Sequence, residues 1–452
     1  MRNFLIVRIN SNFVLRIGLA SVVALGFSLR AVAQDPVPVS NPLTLARALE
    51  FARAHSPRLL ASRSDVDSSA DWAQSVRSKL SPRVSLNAYA ISGNYGAIFG
   101  SSPTVDPVNT LLSPSGFLGD ANIMVMMPLW TGGFLESQSG AARSLVGAAI
   151  ADSAEVESDV ALSVEVGFLR AQLADANVTA SHAKVVSLEE IVRVTQSRFE
   201  VGKDIAASVS RVQADLSQAK RLERVALGER EKACLDLLAS MGARLDLRPT
   251  IEFDSDPDST LDPLANCLRL ARQSRPAIKA ARARLESTKF DLRAAHSATL
   301  PQVYGVAFAD SATQTMNRGS AVGVTVSFPL YDAGERRAMI SKSQAEKAKA
   351  EANMAQVQIE VERDVREAYI DVETAEAALA SARDAVNAAQ SAYDVINLRV
   401  ANGKGILLEL LDSLQALAQA KSDLAVARYE RSNSLFRLRR LVGQSPASGG
   451  SK

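Results

Sequence analysis

Residues 335–400, ERRAMISKSQAEKAKAEANMAQVQIEVERDVREAYIDVETAEAALASARDAVNAAQSAYDVINLRV, contain neither Gly nor Pro. Nothing in this run stops a helix, and ~65 residues at 1.5 Å each would reach ~100 Å. Such length points to coiled-coil packing. The small residues Ala375, Ala377, Ala378, Ala380 and Ala382 permit close helix–helix approach. A counterpart lies upstream, because no Pro occurs between Pro128 and Pro249, or between Pro329 and Pro446.

Outward from the run, the chain is a duplication. Pro128-Leu129-Trp130 matches Pro329-Leu330-Tyr331, and Arg198, Gly202 and Lys203 match Arg399, Gly403 and Lys404. Gln218-Ala219-Lys220 matches Gln419-Ala420-Lys421, and Gly242 matches Gly443. The offset is constant, since 329 − 128, 403 − 202 and 443 − 242 all equal 201. Pro57 and Pro82 are 25 residues apart, as are Pro276 and Pro301. Each half reads as helix, strand, strand, very long helix, helix. This divides the chain into a first repeat over 34–247, a linker rich in Asp, Pro and Ser over 248–262, a second repeat over 263–443, and a short disordered tail over 444–452.

The strands show period two. Val322, Val324, Val326 and Phe328 share one face, while Ala321, Gly323, Thr325 and Ser327 share the other. Tyr304, Val306 and Phe308 form a similar face; Ile123, Val125 and Met127 alternate with Asn122, Met124 and Met126; Val84-Ser85-Leu86-Asn87 opens a fourth strand. The expected strands are 84–91, 121–129, 302–309 and 321–329, with exposed loops from Gly93 to Gly119 and from Asp310 to Gly319. The pattern fits a half-buried soluble sheet or a barrel wall with lipid outside. Trp130 and Tyr331 suit an aromatic girdle, the junction with the helices, or ordinary packing.

The N-terminus favours the membrane. Arg-containing residues precede an apolar run from Ile17 to Leu29, and Ala31-Val32-Ala33 fits a small-x-small cleavage site, so residues 1–33 read as a secretory signal peptide. The run is short of the ~20 residues that a spanning helix needs. Removing Arg2, Arg8, Arg16 and Arg30 takes the net charge from +2 to 2 − 4 = −2. No later apolar run is long enough to span, so a membrane role falls to β-strands. Four strands cannot close a membrane barrel, whose smallest form has about eight. Oligomerisation follows, and three copies would give twelve strands.

The composition excludes several classes. Lys+Arg total 51 against 49 Asp+Glu, so no basic excess suggests nucleic acid. His55, His182 and His296 are scattered, and there is no catalytic triad, phosphate loop or close Cys/His cluster, so neither an enzyme nor a cofactor or metal site is expected. Cys234 and Cys267 could pair as a disulfide or stay as buried thiols.

The layout closely resembles the TolC family of outer-membrane efflux proteins, over about Leu43 to Gly443. The residues that carry the resemblance are Leu43-Thr44-Leu45 with Ala48-Leu49 and Ala52, Ser56-Pro57, Met127-Pro128-Leu129, Phe328-Pro329-Leu330, Arg198-Phe199-Glu200-Val201-Gly202 and Arg399-Val400-Ala401-Asn402-Gly403. The resemblance implies an α+β membrane protein: a homotrimer with a twelve-stranded β-barrel, four strands per chain, in the outer membrane, continued by a long α-helical barrel in the periplasm. It also implies a passive exit duct for efflux or type I secretion, served by a periplasmic adaptor and an inner-membrane pump. The alternative from another class is a periplasmic or surface coiled-coil structural protein without a pore.

Three sets of site residues follow. Val322, Val324, Val326 and Phe328 are expected to face outer-membrane lipid. Val201, Gly202 and Lys203, with Asn402, Gly403 and Lys404, are the turns that the resemblance implies dock the adaptor; simple helix termination is the plainer reading. Glu409 and Asp412 stand where the family places two acids at the pore's periplasmic end. Their i, i+3 spacing puts both on one helix face, which a solvated surface would also explain. The family's polar lock is missing, with Gly405 in place of Arg, Val400 in place of Tyr, and Ala207-Ser208 in place of Thr-Asp. Closure is then expected from Leu407, Leu408, Leu410 and Leu411, or from charges such as Lys203, Asp204 and Arg211.

Overall fold

The computed structural model describes residues 41–93, 116–252, 261–310, 319–402 and 404–443. The signal peptide expected over 1–33, Gly403, the tail 444–452, the middle of the linker and most of both interstrand loops lie outside the described residues.

The first half contains α1 (Leu45–His55), α2 (Pro57–Ser78), β1 (Arg83–Gly93), β2 (Gly116–Trp130), α3 (Phe134–Glu200) and α4 (Ala206–Met241). The second contains α5 (Leu264–Ser274), α6 (Pro276–Ser297), β3 (Gln302–Asp310), β4 (Gly319–Ser327), α7 (Glu335–Ala401) and α8 (Leu407–Val442). Helices before the hairpins are offset by 276 − 57 = 219 and those after by 335 − 134 = 201, so the first hairpin is longer by 18 residues.

The opening helix expected in each half is in fact two helices. Pro57 and Pro276 sit at the first helical position, and the residues before them, Ser56 (ψ 122°) and Arg275 (ψ 125°), are extended. A proline's Cδ excludes the residue before it from the α region, so the preceding helix must stop there.

The long helices start and stop for identifiable reasons. Asp332 accepts from the N–H groups of Gly334 (3.1 Å) and Arg336 (3.2 Å) at the start of α7, and the equivalent Thr131 hydroxyl accepts from Leu135 N–H (3.4 Å) at the start of α3. Each long helix has 67 residues, or about 100 Å. On α7 the buried and half-buried positions include Val361, Val365, Ala368, Val372, Ala375, Leu379, Ala382, Val386, Ala389, Tyr393, Ile396 and Val400. Their alternating steps of four and three are a heptad seam, which coils two helices left-handed around each other.

Shorter helices pack end to end along the long ones. The α4 C-terminus meets the start of α2, where Gly242 adopts φ +72° and an added Cβ would lie 2.7 Å from Pro57 Cδ. Gly443 ends α8 the same way against Ser274. One arginine, one histidine and one lysine pair bridge the α3–α4 hairpin: Asp175–Arg230 (3.7 Å), His182–Glu223 (2.7 Å) and Glu189–Lys220 (2.8 Å).

The strands form one antiparallel sheet in the order β1-β2-β3-β4. β1, β2 and β4 each extend beyond the expected strands at their hairpin ends, but β4 stops at Ser327, so Phe328 lies just outside it. Among the described residues β4 has no partner on its outer side, and every residue in it is exposed. Both cysteines are free thiols, Cys267 buried and Cys234 half-buried, and burial pushes both thiols up. Among the described residues, no helix is long and apolar enough to cross a membrane.

Candidate barrel wall, docking tips and pore constriction

The strand register sorts the sheet into two chemically distinct faces. Val84 pairs with Val125 and Leu86 with Ile123; Val125 pairs with Ala307, Ala307 with Val322, and Gly305 with Val324. Directly paired residues point to the same side, so the valines of β4 share an uninterrupted apolar face with Val84, Leu86, Ile123 and Val125. On the other side Ser85, Asn87, Asn122, Gln302, Thr325 and Ser327 recur, and Asn87 Nδ2 donates to Asn122 Oδ1 (3.0 Å). Tyr304, Val306 and Phe308 fall on this polar-containing side, opposite the valines, a relation that single-strand alternation does not fix.

At the far end of α3, Val201, Gly202 and Lys203 form a left-handed helix stop. Gly202 has φ +70°, its N–H reaches Phe199 O (2.9 Å), and Lys203 N–H reaches Arg198 O (2.8 Å). Lys404 N–H reaches Arg399 O (2.9 Å) at the end of α7, the same bond one repeat later. The two tips are neighbours, because Arg198 Nη2 donates to Val400 O (3.3 Å). Val201, Gly202, Lys203, Asn402 and Lys404 are all exposed, and nothing lies within 4 Å of a Cβ built on Gly202.

Gly405 is the opposite case. A Cβ there would sit 2.7 Å from Val400 Cγ2 and 2.9 Å from Val400 N. The Gly405–Val400 contact is therefore close and apolar and admits no side chain at 405. Gly405→Ala should destabilise the helical region by ~1–3 kcal/mol through overpacking, read as a lower thermal midpoint. An unchanged midpoint would mean that the turn relaxes freely.

Above the tips an apolar cluster joins four helices: Val185, Leu188 and Ile191 of α3, Val212 of α4, Val400 of α7, and Leu410, Leu411 and Leu414 of α8. Leu410 and Leu411 are buried in this cluster between helices of one chain, and Leu407 is half-buried against them. Leu408, by contrast, is 45% exposed. Asp204 is engaged locally, accepting from Ile205 N–H (2.8 Å). Glu409 and Asp412 stand on the exposed side of α8 with Leu408 and Gln415, away from the cluster. Neither carboxylate forms a hydrogen bond or ion pair with a described residue.

Comparison with known proteins follows this geometry. A family model described as outer membrane efflux protein matches residues 48–243 and 267–444, most of both halves. The chain belongs to the outer membrane efflux protein family. Its members are channel proteins rather than enzymes, located in the outer membrane with helices extending into the periplasm. The outer membrane efflux protein BepC of Brucella suis is 26% identical over 268 residues, covering 56% of this chain and 58% of BepC, under two thirds of that relative's length. Outer membrane protein TolC of Vibrio cholerae is 23% identical over 414 residues, covering 88% and 90%. The crystal structure of VceC from Vibrio cholerae superposes with a TM-score of 0.74 at 18% identity, covering 88% of this chain and 96% of that one. Within this family the fold is a channel-tunnel, an α+β arrangement of one small sheet and very long helices.

Proposed function

We propose that three copies close a twelve-stranded barrel in the outer membrane and that their helices continue it as a periplasmic duct. The observation that carries this is the four-stranded sheet, with open edges at β1 and β4 and one continuous apolar face. Unpaired strand edges in lipid cost several kcal/mol per group, so the sheet must find further strands. The valine face meets lipid, and the asparagine- and serine-bearing face lines the lumen. The duct is passive: a periplasmic adaptor docks at the tips, and an inner-membrane pump supplies the energy.

Docking rests on the exposed turns at Val201-Gly202-Lys203 and at Asn402 and Lys404, with Gly403 as the second turn's glycine. Open space around Gly202 leaves room for a partner and lets a mutation test it. Gly202→Arg strains a left-handed position by ~1–3 kcal/mol, but its Cβ has no described atom within 4 Å. It should abolish export in cells while leaving trimers in the outer membrane. Loss of the trimers themselves would make this glycine structural rather than a docking residue.

A further inference from the structure

A cavity of about 340 Å³ lies where the two repeats meet, between the end of α1, the middle of α3, the α5–α6 break and the end of α8. Three guanidinium groups line it: Arg53, Arg439 and Arg440. Arg440 pairs with Glu155 (2.9 Å) and with Asp159, behind the cavity, yet its buried Nε finds no hydrogen-bond partner. The Arg439 guanidinium forms no hydrogen bond or ion pair with a described residue and lies 6.0 Å above the Phe436 ring. Ser274 and Pro276 bring the N-terminus of the 22-residue α6 to the same wall, which adds positive potential.

The repeat shows that these arginines are not required for packing. One repeat earlier, 439 − 201 = 238 and 440 − 201 = 239, and these positions are Leu238 and Ala239. Leu238 is fully buried core. At 439 the second half has therefore put a cation where the first has a hydrophobic contact, and at 440 one where the first has an exposed alanine.

We propose that this cavity binds a small oxyanion, a sulfate- or phosphate-bearing solute, held by Arg439 and Arg440 against the start of α6. A lipid headgroup is excluded by distance: Glu165, on the cavity wall, is 165 − 134 = 31 residues from the sheet end of α3, or about 45 Å.

The site carries its own competitor. Glu165 is 5% exposed and lines the cavity. Burial raises its pKa to about 7, partly offset by Arg439 and Arg53. The charged groups facing it are Arg53 on α1, Glu157 on its own helix, and Arg439 and Arg440 on α8. Arg275, at the α5–α6 break, turns instead toward Glu155 (3.5 Å), and α4 presents Leu237 at Gly167, two residues along. Arg53 is paired with Glu157 (3.4 Å). Below the Glu165 pKa the acid is neutral and Arg439 is open to an anion; above it the carboxylate neutralises Arg439 and repels the anion.

The test is calorimetric titration of the purified full-length trimer with sulfate, whose charge is constant across this range, at about pH 6 and about pH 8. Wild type should bind saturably at the lower pH and about tenfold more weakly at the higher, as the protonated fraction of Glu165 falls about tenfold. Glu165→Gln should bind equally at both, and Arg439→Gln at neither. Absence of saturable binding by the wild type at the lower pH overturns the site. So does undiminished binding by assembled Arg439→Gln trimers. Should that variant not assemble, the wild-type and Glu165→Gln titrations still decide: equal wild-type affinity at both pH values removes Glu165 from the site.

Discussion

Val324→Arg should prevent heat-resistant trimers from forming in the outer membrane, whereas Thr325→Arg should leave most of them intact. The two residues are adjacent in the middle of β4 and differ chiefly in the side to which they point. Val324 pairs with Gly305 and shares its side with Val322, Val326, Ile123, Val84 and Leu86. Thr325 pairs with Tyr304, on the side of Asn87 and Asn122. An arginine facing lipid at the bilayer midplane costs ~2–4 kcal/mol, and a trimer would carry it three times, ~6–12 kcal/mol. On the lumen side the same group stays in water. Heated and unheated electrophoresis of outer-membrane fractions reads the result directly, and equal loss in both variants would sink the assignment of faces.

This prediction also shows what the sequence made legible. The alternation of Val322, Val324 and Val326 marks β4 and its apolar face without structural help, because period two is intrinsic to the strand. It does not show that Tyr304, Val306 and Phe308 lie opposite those valines. Which faces coincide depends on cross-strand register, set by the hairpin and by the β2–β3 pairing rather than by either strand alone. The helix lengths were legible for a similar reason: an unbroken stretch without Gly or Pro has no local means of stopping. The breaks at Pro57 and Pro276 had a visible signal, a proline with an extended predecessor, which length alone outweighed. The Leu-rich run beside Glu409 and Asp412 was legible as a packing segment but its partners were not: helical period turns 410, 411 and 414 inward, to the cluster that holds Val185, Leu188 and Val212 of other helices. The anion cavity had no local signal, since its arginines become unusual only when set against Leu238 and Ala239 of the other repeat.

The charge selectivity of the open pore should depend on two residues of α8. We propose that Glu409 and Asp412 line the periplasmic constriction, three of each in the trimer. Both are exposed on the side of α8 that turns away from the apolar cluster, and neither is neutralised by a neighbour among the described residues. Glu409 lies in the first turn, where the helix dipole favours a carboxylate; that alone explains an acid at 409 but not a second one a turn later. Leu408 on the same side supplies the apolar part of the closure. The hairpin bearing these residues also has fewer charged ties: among the described residues a single cross-hairpin ion pair, Glu376–Arg431 (3.7 Å), stands against three in α3–α4, and it lies far from the tip. Surface pairs are worth only ~0.2–1 kcal/mol each, so the difference is modest, but it falls on the helices that would have to move. Rings of like charge in a narrow pore attract counter-ions and hold multivalent ones longest. In single-channel recordings of the purified trimer, Glu409→Ala with Asp412→Ala should bring cation preference toward parity. Block by multivalent cations should weaken by about tenfold or more, a loss of ~1.4 kcal/mol. Selectivity and block that survive the double substitution would place these acids on the outer, solvated face of the tip.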